Sequence, residues 1–133
     1  MFLSQLNEAQ RPAFLVLAKS LIAADGIFAD EEMLMMEQYQ QEMSLHIPFN
    51  DIQIEENQAI AAFADDVPLR KKQVFFELVA LAYADQVYAK EENDLLIKIG
   101  NAFGLDAEFL EESKNISNEL IRLYAKIGTL VSE

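Results

Sequence analysis

Two short stretches place acids where they could grip a cation. In "LIAADGIFADEE", residues 21–32, Asp25 is followed by Gly26 and, seven positions on, by Glu32. These offsets match the fifth, sixth and twelfth positions of an EF-hand calcium loop. Such a loop also needs oxygen ligands at its first and third positions. Here those positions are Leu21 and Ala23, which supply none. In "LAYADQVYAKEE", residues 81–92, they are Leu81 and Tyr83, neither suited to the task, and Gln86 stands where the turn glycine belongs. Neither stretch is an EF-hand.

The two stretches are copies of one another, sixty residues apart. Six of their twelve positions are identical, and Ile27 with Val87 and Phe28 with Tyr88 are close substitutions. Each follows an apolar helix and precedes an amphipathic one. Asp25 and Asp85 therefore close helices, where a carboxylate opposes the macrodipole. Two arrangements would offset that cost. In the first, each aspartate accepts hydrogen bonds from the free N–H groups of the next helix, and the following apolar pair folds inward as a bridge. In the second, a divalent cation is shared by Asp25 and Glu32, or by Asp25, Glu32, Asp85 and Glu92 together. Hard oxygen ligands suit Mg²⁺, Ca²⁺ or Mn²⁺. The residues leave both arrangements open.

Other chemistry is thinly represented. Asp85 with Glu92 is the best local pair for general acid and base work. No nucleophile-and-base constellation, phosphate loop or cofactor fingerprint accompanies it. The chain has no cysteine, so disulfides, thiolate metal sites and thiol catalysis are excluded. Its one histidine, His46, lies in a break before Pro48 and reads as a surface or packing residue. The expectation is a protein that is not an enzyme, with no catalytic or cofactor-binding residue. With 23 acids against 10 bases the formal charge is −13, which disfavours nucleic acid and favours cations, basic partners or simple solubility.

The elements that must position the acids are helices. Glycine and proline are scarce, and apolar residues recur at helical spacing. A first helix is expected from near Glu8 to Ala24, capped by Asn7. Phe14, Leu17, Ala18 and Leu21 form one stripe, with Leu15 and Ile22 opposite, as in a buried central helix. A second follows Asp30 and runs to about Ser44. In it Met36 and Met43 either line the core or, with Met33 and Met35, form a surface for a partner. A third covers residues 54–64. The fourth starts near Pro68, with Asp66 as cap, and is apolar all round in its second half. The fifth begins at Lys90 and stops at Gly104. Asp106 caps the last, in which Ile116, Leu120, Leu123, Ile127 and Leu130 form one stripe, widened by Tyr124 and Val131. That stripe packs on its own domain or on a second copy.

The 133 residues suit a single all-α domain, a bundle of six to seven helices made of two pseudo-symmetric hairpins. The halves are residues 8–45 and 68–104. No apolar run reaches the ~18 residues of a membrane span, and the first residues lack the basic and apolar regions of a signal peptide. A soluble cytoplasmic chain is expected.

At these residues the chain resembles the tellurite-resistance protein B family and the wider TerB-like superfamily. The likeness lies in a helix ending Ala-Asp-Gly, a hydrophobic residue, a short gap and a glutamate heading the next helix. It is strengthened by the second copy and by the "FGLD" break before an acidic last helix. It covers roughly residues 10–112. The resemblance implies a compact helical domain with an acidic, metal-associated face, acting as an adaptor in chemical stress rather than as an enzyme. The positions that match are Asp25, Gly26, Glu32, Asp85 and Glu92, with Glu31 and Glu91 as weaker candidates. Gln86 departs from the pattern.

Overall fold

The first long helix is apolar on almost every side, and it takes the centre of the molecule. In the computed structural model, α1 spans Gln10–Ala23 and touches α2, α3, α4 and α5. Phe14, Leu15, Leu17, Ala18, Leu21 and Ile22 on it are all fully buried. The structure describes residues 1–24, 30–47, 51–83 and 90–132, and of residues 31 and 32 the backbone alone. After a 3₁₀ turn at Leu3–Gln5 and α1 come α2 (Asp30–Glu42), α3 (Glu56–Ala64), α4 (Pro68–Ala82), α5 (Lys90–Ala102) and α6 (Ala107–Val131). The architecture is all-α, and the described residues contain no strand. No described helix is long and apolar enough to cross a membrane.

Local chemistry sets most of the helix ends. Asn7 and Gln10 exchange side-chain hydrogen bonds with each other's backbone N–H at 2.9 and 3.1 Å, which fixes the turn leading into α1, although the N-cap position itself falls to Ala9. Glu55 and Gln58 form a capping box on α3. Pro68 opens α4, where its missing N–H costs nothing. Asp66 is not the cap of α4, because Val67 occupies that position. Its carboxylate instead accepts from Gln10 Nε2 at 2.7 Å and ties the α3–α4 link to the start of α1. Asp106 caps α6 as expected, accepting from Phe109 N–H at 2.8 Å.

The repeat extends beyond the acidic stretches. Helices α2 and α5 have equal length and begin sixty residues apart. Their buried apolar positions correspond: Met36, Tyr39 and Met43 on or just after the first, Leu96, Ile99 and Phe103 on or just after the second. Both helices also end alike. Ser44 and Gly104 take positive φ, 53° and 73°, and the next N–H reaches back to Gln40 O at 2.9 Å or to Gly100 O at 2.8 Å. This is the left-handed closure that glycine adopts without steric cost and serine does not. Ser44→Gly should therefore stabilise the fold by about 0.5–1 kcal/mol. Urea denaturation checks this, and an unchanged midpoint would contradict it.

Rings fill the remaining core. Phe14 meets Tyr39 edge-on with centroids 5.0 Å apart, and Phe63 meets Phe103 at 5.8 Å. Met36 and Met43 belong to this core, Met35 is half-buried against it, and Met33 is exposed. Burial, with the charges of Glu77 and Glu42 adding to it, pushes the Tyr39 phenol well above its ordinary pKa.

Candidate functional site

The described residues reach the two acidic stretches to different extents. Helix α1 stops at Ala23, and Ala24 N–H turns back to Leu21 O at 3.3 Å. Asp25 and Gly26 then lie outside the described residues, as do Asp85 and Gln86. Glu31 and Glu32 sit in the first turn of α2, with their side chains outside the described set. Of the four acids expected to hold a cation, Glu92 is the one whose side chain is described. It is in the first turn of α5 and 1% exposed, while Glu91 beside it faces solvent. The positive end of the helix dipole favours a buried carboxylate there. Among the described residues no three His, Cys, Asp or Glu side chains gather as a metal would require. The described acids do not assemble a ligand set, and of the expected four Glu92 is the one placed, buried at the start of α5.

Tyr83 follows the end of α4. Partial burial and then the charge of Glu111 raise its phenol above the ordinary pKa. Two depressions lie nearby or beyond. A cleft of about 220 Å³ between α5 and α6 is lined by Phe75, Ile97 and Leu110, with Asn93, Glu111 and Lys114 at its edge. Lys114 Nζ donates to Asn93 Oδ1 at 2.7 Å and so bridges the two helices. His46 is exposed beside a shallow depression of about 300 Å³ with Glu37 and Gln40.

Sequence reasoning missed a second acidic device. Glu77 lies in the apolar half of α4 and is 5% exposed. Its Oε1 accepts from Phe2 N–H at 3.0 Å and sits 2.8 Å from the Met1 ammonium. Glu42, at the end of α2, accepts from the same ammonium at 2.7 Å and from Leu3 N–H at 2.8 Å. Burial alone would lower the ammonium pKa, but the hydrogen bonds to Glu42 and Glu77 outweigh it and the value is raised. These carboxylates seat the 3₁₀ turn and bury Leu3 and Leu6. The signal was a lone acid inside "VFFELVALAYA", where every neighbour is apolar.

The largest departure from a closed surface is on α6. Its first half packs on α4 and α5 and buries Leu110, Ser113 and Ser117. Of the expected stripe Leu120 is half-buried, and beyond residue 121 the second half stands clear of the core. Ile116, Leu123, Tyr124, Ile127, Leu130 and Val131 are all exposed, Leu123 by 55% and Leu130 by 82%. Apart from Leu120, the stripe therefore does not pack on its own domain. Comparison of the chain with protein-family models, with curated proteins and with solved structures finds no match.

Proposed function

We propose that this chain is a non-enzymatic acidic adaptor. It docks a protein on the outer face of α6 and takes up divalent cations weakly at its acidic corners. One observation carries the reading: six large apolar side chains line one face of a single helix, while the other helices direct most of theirs into the core. A row of that kind marks an interaction surface rather than a solvated one. The corner motifs, through their likeness to the tellurite-resistance protein B family, support an accessory role in chemical stress. An approximate twofold between the repeated hairpins would bring Asp25, Glu32, Asp85 and Glu92 toward one another.

The docking part is tested with a photo-crosslinking residue in place of Leu130, with Thr129 on the opposite face as the control. Protein adducts from position 130 and none from 129 are expected; no adduct from 130 would overturn the reading. The cation part is tested by calorimetry with Mg²⁺, Mn²⁺ and Ca²⁺ at millimolar concentration. Weak binding that disappears in Asp25→Asn/Glu32→Gln is expected. No heat and no change in melting temperature would remove the cation from the proposal.

A further inference from the structure

We propose that the occupant of the α6 face is a second copy of this chain, paired antiparallel through α6 about a twofold axis between residues 121 and 122. The inference rests on the reading of α6 as a docking surface and names its partner. Three features of the helix carry it.

The first is the seam. Ile116, Leu120, Leu123, Ile127 and Leu130 alternate steps of four and three, the spacing of the a and d positions in a two-helix coil. With 120 and 127 as a positions, an antiparallel partner stacks a against d. Leu120 then meets the second copy's Leu123, and Ile127 meets its Ile116; the twofold repeats both layers.

The second is the register of charge. In this pairing the g positions flank the seam and face each other across it. They are Glu119 and Lys126, both exposed. Glu119 lies opposite the second copy's Lys126, and Lys126 opposite its Glu119. A parallel pairing sets g against e instead, so that Glu119 would meet Tyr124 and Lys126 would meet Val131, with no charge partner for either. Such pairs add little affinity but select orientation.

The third is net charge. Each copy carries −13. A parallel pair would place two acidic bodies side by side at the same end. The antiparallel pair staggers them along the axis: the packed part of each α6 reaches Ser117, and in this register the two Ser117 residues stand about 14 Å apart along the helix. That separation exceeds the ~8 Å screening length at physiological salt.

Sedimentation equilibrium on the full chain tests the proposal. A reversible dimer, twice the 15.1 kDa monomer mass, is expected. Leu123→Glu should be monomeric at every concentration, with its helical circular dichroism retained. Glu119→Lys should weaken the dimer about tenfold, although it lowers the net charge and relieves general repulsion. Lys126→Glu should weaken it similarly. Combining both changes in one chain, or mixing the two single variants in equal amounts, should restore it. A chain that stays monomeric at millimolar concentration overturns the proposal, as does a dimer indifferent to both single reversals. Crosslinks from position 130 to other proteins by a strictly monomeric chain would reject self-pairing and leave the adaptor reading standing.

Discussion

Phe14→Ala should lower the free energy of unfolding by about 3–5 kcal/mol, the largest loss from any single truncation considered for this fold. Phe14 is fully buried on the central helix, and its ring meets Tyr39 edge-on at 5.0 Å. Removing the ring forfeits its burial, the edge contact and the close packing around it, since neighbouring helices cannot collapse fully onto an alanine. Total stability for a domain of this size is of order 5–15 kcal/mol, so the variant sits near the limit of folding. Urea denaturation reads the effect as a fall in midpoint at constant slope. Leu123→Ala is the control. It removes a smaller, aliphatic group from an exposed position, and in dilute solution its effect should stay within about 0.5 kcal/mol. Similar losses in the two variants would contradict the division between a closed core and an open α6 face.

Glu77→Ala should cost about 2 kcal/mol, and the reason is the partner left behind. Truncation leaves Phe2 N–H without its acceptor in a partly buried setting, and an unsatisfied donor of that kind costs about 1–3 kcal/mol. The contact with the Met1 ammonium adds little, since that group is more than half exposed and retains Glu42. The loss should be local as well as global. The 3₁₀ turn at Leu3–Gln5 loses one of its two carboxylate anchors, so the amides of residues 2–6 should exchange with solvent faster than those of α1. Glu77→Gln keeps an acceptor for Phe2 N–H and should recover about half the loss. A Gln variant no better than Ala would assign the effect to the charge instead.

Much of the scaffold was legible because its determinants are local. Asn7, Pro68, Gly104 and Asp106 mark helix ends through chemistry that acts within a few residues. The all-round apolar pattern of α1 announced its central place, while the step between Met36 and Met43 left core and surface both open and the structure buries them. The sixty-residue repeat was visible in twelve positions, and it extends to α2, α5 and their left-handed ends. What escaped notice depends on contacts between distant residues. Glu77 binds residues 75 positions earlier, and Asp66 turns from its expected cap toward Gln10, 56 positions away. No local pattern encodes such pairings. The stripe on α6 was read correctly as a stripe, but periodicity cannot say what covers it. Of the candidate acids, Glu92 is placed and buried, while Asp25, Asp85 and the Glu32 side chain fall outside the described residues.

The most direct test of an outward-facing α6 is amide hydrogen exchange on residues 118–132, followed as protein concentration rises from micromolar to millimolar. In dilute solution these amides should exchange fast, because no tertiary contact holds the stripe, while α1 stays protected. With concentration their protection should rise, and that of α1 should not. Protection of the distal half of α6 equal to that of α1 in dilute solution, or unchanged across the range, would contradict the account.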